Sequence, residues 1–294
     1  MRFFHPSPYL LLTLSSLFWA GNWIVGRGIR AEVPPVTLSF WRWAIALVCI
    51  LPLAWPHLRR DAPSLRVAWP WITLLGLFGV FAYNTFSYIG LQYTTVTNGL
   101  LLNSFIPMLI VALAWVFQGK RLRRIEGLGV VASTLGVMTI VVQGDPAKLF
   151  SLHFNIGDFW VLGAVLSWAI YTLLLPRKPA GVHPLSFLFA IASVGLAATF
   201  PAYLWELASG RHVVATPAAL GSMLYAGVFA ALLGFICWNK GVAEVGAARA
   251  GLFIHLMPVF GILLAALFLG ERMAAYHLAG IVLIFGGIFL TTRH

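Results

Sequence analysis

Residues 76–136 of this chain are echoed at 227–287, and the echo carries an odd number of apolar spans. Gly76 falls on Gly227, Gly90 on Gly241, Pro107 on Pro258, and Gly119 on Gly270. Arg121 falls on Arg272, Gly129 on Gly280, and Gly136 on Gly287. A looser match pairs Trp19-Ala20 with Trp168-Ala169 and Pro35 with Pro184. Each copy reads as five apolar segments, so the second must enter a bilayer with polarity opposite to the first. Such inverted repeats are the usual build of secondary transporters, with the substrate site near the midplane between the halves. A duplicated bundle with another role is the alternative.

The bilayer is required by composition. Hydrophobic residues make up 61% and charged residues 9%, whereas soluble domains carry about 25% charged residues. A span takes about 20 apolar residues, and ten fit, over 9–30, 36–55, 69–89, 95–117, 124–142, 157–175, 185–206, 218–239, 247–269 and 275–291. Prolines mark several of the ends, Pro56 and Pro63 among them. The expected fold is an all-α integral membrane protein, ten transmembrane helices arranged as an inverted 5+5 repeat. The repeats fall at 1–144 and 145–294 and form one integrated unit. The first apolar stretch lacks a cleavage pattern and reads as a span.

The net charge of +11 sets topology and does not indicate a nucleic-acid partner. Thirteen Lys and Arg lie on the side of the two termini and five on the other, with Arg42 inside a span. The positive-inside rule puts both termini in the cytoplasm. Cys49 and Cys237 lie in apolar stretches and read as core residues.

Polar side chains in hydrocarbon face the bundle interior or a watered cavity. Ser15, Trp19, Asn22, Trp23 and Gly26 share one face of span one, which either walls a cavity or bonds another helix. Tyr83, Asn84, Ser87 and Tyr88 share a face of span three, able to stack on and hydrogen-bond an aromatic solute or to glue helices together. Span six offers Trp160, Ser167, Trp168 and Tyr171, and Trp168 is the repeat mate of Trp19. Arg42 either binds a carboxylate or snorkels to the interface. Pro107 and Pro258 interrupt spans four and nine and mark a hinge or a tolerated kink. Asn103 and His255 lie within a turn of them, and His255 either titrates or packs. The candidate substrate-binding set is therefore Trp19, Asn22, Trp23, Arg42, Tyr83, Asn84, Ser87, Tyr88, Asn103, Trp168, Tyr171 and His255. Spans five and ten, with Gly129, Ser133, Gly136, Gly280, Gly286 and Gly287, are expected to brace the bundle away from the pathway.

No Asp or Glu falls mid-span, which favours facilitated diffusion or coupling through His255. No phosphate-binding loop, H-E-x-x-H or Cys cluster occurs, so neither cofactor nor metal is expected and no catalytic residue is assigned.

The segments Gly90–Val137 and Gly241–Ile288 share a small-residue-rich span with a central Pro, then G-[KE]-R and a Gly-studded span. Both resemble the EamA-type repeat of the drug/metabolite transporter superfamily. The second copy has the L-G-E form at Leu269-Gly270-Glu271; the first departs with Lys120. The aromatic first span, with Trp19-Ala20-Gly21-Asn22-Trp23, is similar to that of the bacterial aromatic amino-acid exporters. That resemblance implies a location in a bacterial inner membrane, and efflux of Phe, Tyr and Trp, other amino acids and cationic compounds such as methyl viologen. The expected partners are a small-molecule substrate and membrane lipid, and the chain is a monomer or homodimer. Rival readings are a carrier of another metabolite such as a sugar or purine, a passive channel, and an intramembrane enzyme.

Overall fold

The computed structural model describes residues 6–120, 123–150, 155–269 and 273–293. Among these, ten helices are long and apolar enough to cross a membrane: α1 Pro8–Gly28, α2 Pro35–Val67, α3 Trp69–Tyr93, α4 Asn98–Gln118, α5 Arg124–Val141, α6 Ile156–Arg177, α7 Pro184–Ala208, α8 Pro217–Val245, α9 Ala247–Leu264 and α10 Ala275–Thr292. The all-helical, ten-span architecture matches the expectation. The motif residues Arg121, Gly270, Glu271 and Arg272 lie outside the described residues.

Contacts between the halves come in exchanged pairs. α1 packs on α8 and α9, and α6 packs in the same way on α3 and α4. α2 packs along α7, and α5 along α10. The α5–α10 seam is made by small residues. A Cβ on Gly136 would sit 2.7 Å from the Gly280 carbonyl, and one on Gly287 would sit 2.4 Å from that of Gly129. Only glycine lets the two backbones approach this closely, the tight packing that a bracing role would need.

The loops gather on two faces. On one, the Val214 amide donates to the Glu32 carbonyl and the Thr94 hydroxyl to Asp158. There the buried Glu206 carboxylate, at the end of α7, accepts from the Thr37 amide at 2.6 Å and caps the start of α2. A carboxylate at a helix N-terminus satisfies free N–H groups and complements the dipole. On the face of the termini, Asp61 near the end of α2 accepts from the His183 amide at 2.9 Å, just before α7 begins. His57 stacks on His183 with ring centres 3.8 Å apart. Each of the antiparallel pair α2 and α7 thus holds the other's start.

Two local outcomes differ from the sequence reading. Pro56 and Pro63 do not end α2, which continues as one helix to Val67. Its far end is tied to α7 through Asp61. In addition, α3 and α8 each contain a π-helical stretch, Gly76–Ala82 and Ala226–Leu233, at repeat-related positions.

Candidate functional site

The π-stretches shape the centre of the bundle. Wider winding leaves carbonyls without regular partners. In α3, Asn84 donates its amide to the carbonyls of Gly79 and Val80, at 3.1 and 2.8 Å. In α8 the residue matching Asn84 is Phe235, which cannot donate. The Ala230 carbonyl, repeat mate of Gly79, is instead taken by the Trp19 indole at 3.0 Å. Trp168, repeat mate of Trp19, therefore finds its carbonyls already used, and its indole N–H has no partner.

The faces expected from sequence converge here. Trp19, Asn22, Trp23, Arg42, Tyr83, Asn84, Ser87 and Tyr88, with Leu91, line one cleft between α1, α2 and α3. Trp168 closes it from α6, and Tyr171, expected in the same set, does not line it but packs behind Trp168. The Trp168 ring lies 5.0 Å from Trp19 and 4.6 Å from Tyr83, and 5.1 Å from Tyr171. Arg42 donates to the Tyr88 hydroxyl at 3.0 Å, and Tyr88 donates to Asn22 Oδ1 at 2.9 Å. The open space is only about 10 Å³, room for one water. A substrate larger than water requires these side chains to move apart.

Arg42 decides the electrostatics. It is 2% exposed, so it does not snorkel. The ion pairs among the described residues are Arg60–Asp61 and Arg249–Glu126, and neither reaches it. A buried cation without a counter-charge is expensive. Its Nε has no partner, nor do Asn84 Oδ1 and Ser87 Oγ. The cleft thus presents one positive charge that lies over the Trp43 ring and has no carboxylate partner among the described residues, with an amide acceptor, a hydroxyl and an unpaired indole donor among aromatic rings. Buried polar groups are usually paired, so a cluster of unpaired ones in one cleft calls for a water, an ion or a ligand there.

Asn103 and His255 do not line this cleft. They face a second small void with Leu100, Ser104, Val137, Ile254, Met257 and Pro258. Both neighbouring helices are interrupted there. The helix before Ser104 stops at Asn103 and resumes at Ile106, while Leu252–His255 winds as a 3-10 turn. Pro107 and Pro258 follow the two breaks. A wider space of about 450 Å³ opens on the face of the termini between α4, α5, α6 and α9, bordered by Gln118, Lys120, Glu126 and Arg249.

The sequence reading did not single out Phe235, Trp238 and Asn239, which pack on the far side of the cleft. The Tyr171 hydroxyl donates to Asn239 Oδ1 at 2.5 Å. The repeat itself signals this bond, because Asn22 matches Tyr171 and Tyr88 matches Asn239.

These observations define a multi-pass membrane protein with a buried central site, the architecture of a carrier. The EamA-like transporter family matches the chain twice, over residues 6–142 and 155–293. The chain belongs to that family. It is 28% identical to the uncharacterized transporter YetK of Bacillus subtilis, over 96% of this chain and 86% of that protein. It is 27% identical to the probable terminal-alkyne amino-acid exporter of Streptantibioticus cattleyicolor, over 96% of this chain and 92% of that one. A protein of known crystal structure shares the fold with a TM-score of 0.75, at 20% identity over 98% of this chain and 96% of that one.

Proposed function

We propose that this transporter carries amino acids, aromatic ones foremost, by alternating access through the cleft around Arg42. The observation that supports this reading is Arg42, without a carboxylate partner among the described residues, beside an unpaired acceptor and a cluster of aromatic rings. An α-carboxylate supplies the missing counter-charge and accepts from Arg42 Nε. The ammonium donates to Asn84 Oδ1 or Ser87. An aromatic side chain stacks among Trp19, Trp23, Tyr83 and Trp168. A dication such as methyl viologen meets the Arg42 charge instead, so the site favours carboxylates. The amino-acid exporter among the relatives agrees in substrate class.

The two sets of five helices form an inverted repeat in this reading. The excess of Lys and Arg on the face of the termini supports a cytoplasmic position for that face, and in this reading the membrane is a bacterial inner membrane and export is the working direction. Tracer counterflow in proteoliposomes loaded with unlabelled Phe tests the substrate class. Transient tracer accumulation that Arg42→Gln abolishes supports it. No accumulation by folded, inserted protein rejects amino acids in favour of another metabolite, and a linear, unsaturable flux indicates a channel.

A further inference from the structure

We propose that His255 is a proton site, separate from the substrate cleft and reached through one water held between its Nδ1 and the Asn103 amide. The functional consequence rests on the transport reading above; the site itself does not. His255 Nε2 lies 3.0 Å from the Ser104 carbonyl. A carbonyl only accepts, so Nε2 carries the hydrogen and Nδ1 keeps a bare lone pair. Nδ1 has no partner, and neither do Asn103 Nδ2 and Oδ1. Both residues are nine-tenths or more buried, and the void between them is about 10 Å³, the size of one water.

The donor set selects the ligand. One imidazole nitrogen and one amide oxygen are too few for a metal ion. A water fits, accepting from Asn103 Nδ2 and donating to His255 Nδ1. When that water arrives as hydronium, its proton passes to Nδ1 and neutral water remains. The imidazolium then donates from both nitrogens, to the Ser104 carbonyl and to the water or Asn103 Oδ1.

No carboxylate or cation lines the void among the described residues. From the packed helices, α1 brings Tyr9, stacked on Phe253, and α3 brings Tyr83, a lining residue of the cleft whose side chain is within hydrogen-bonding reach of Asn103. Glu126 of α5 and Arg249 of α9 are paired with each other towards the helix ends, and His277 of α10 binds its own helix start. The new charge therefore has no fixed counter-ion and acts on the two helix breaks. Ser104 and His255 are repeat mates, so both broken helices meet at this bond. One turn before Asn103, Gly99 lies so close to Trp23 that a Cβ would sit 2.6 Å from its ring. Displacing α4 at its break thus displaces a wall of the substrate cleft.

His255→Gln keeps a donor towards Ser104 and cannot take a proton. In proteoliposomes, an imposed pH gradient should raise wild-type accumulation about ten-fold, and the variant should lose that gain while its counterflow stays within about two-fold. Asn103→Leu, which fills the void, should also lose it. Equal gradient-driven accumulation by wild type and His255→Gln overturns the proposal. An arm without substrate uses ¹⁵N NMR of imidazole-labelled protein, with His255→Gln giving the assignment. A neutral Nε2–H ring at about pH 8 that gains a second N–H by about pH 4 supports the site; a ring still neutral there overturns it. Failed Phe counterflow with a titrating His255 rejects only the substrate reading.

Discussion

The two halves build the same scaffold and finish it differently. Tyr88 donates to Asn22 in the first half, and Tyr171 to Asn239 in the second, the same bond with its residue types exchanged. Around the first bond stand Arg42, Asn84 and Ser87. Their repeat mates are Ile191, Phe235 and Trp238, all buried and apolar. Duplication fixed the backbone geometry, and divergence made one half the polar wall and the other the aromatic packing against it. The buried polar groups of the cleft are concentrated where the repeat is least symmetric.

Charge gives the sharpest test of that contrast. Arg42→Gln should weaken amino-acid binding about 10- to 100-fold, the worth of a hydrogen bond to a charged group, while Ile191→Val should leave it unchanged. Binding to purified protein, measured by calorimetry, decides; equal affinity for Arg42→Gln breaks the comparison.

The two tryptophans should differ in kind. Trp19→Phe strips the Ala230 carbonyl of its donor and should lower stability by about 1–3 kcal/mol, seen as a reduced thermal midpoint. Trp168→Phe removes a donor that has no protein partner. It should leave the midpoint nearly unchanged and weaken substrate binding about five-fold. A large loss of stability in Trp168→Phe would show that its indole is already satisfied.

A smaller difference is expected between the tyrosines. Tyr88→Phe frees the Arg42 side chain and should raise KM about three- to ten-fold, whereas Tyr171→Phe should cost about 1 kcal/mol of stability and leave KM alone. Transport kinetics alongside thermal melts separate these outcomes.

The smallest effect concerns the clasp between α2 and α7. Burial, and then the neighbouring His57, hold the His183 pKa below its usual value. Its Nδ1 accepts from the Leu185 amide as a helix cap, which only the neutral ring can do. The folded-state pKa is depressed, so the stabilisation is present above the ordinary histidine pKa and is lost as pH falls through the lower folded value. His183→Asn keeps a capping acceptor without titrating and should flatten this part of the acid-side decline in thermal stability. An unchanged decline would rule out this role.

Much of this was readable from residue order because the bilayer leaves few options. Helical spacing brought Trp19, Asn22 and Trp23 to one face, and the expense of a buried guanidinium marked Arg42. The separation of Asn103 and His255 from the cleft was not readable. It depends on how two interrupted helices meet, which is a matter of tertiary contact. The π-stretches were equally hidden, since their glycines serve ordinary close packing as well. The unpaired Trp168 indole follows from Asn84 reaching the α3 carbonyls first, a competition that no spacing rule encodes.

The glycine seam between α5 and α10 has a mechanical consequence. Backbones in contact along Gly129, Gly136, Gly280 and Gly287 leave only a thin side-chain layer to shear, so a rigid join is expected at this edge. Under the proposed alternating access it is the natural fulcrum. Displacement grows with distance from it, and the helices lining the substrate cleft form the long arm of the lever.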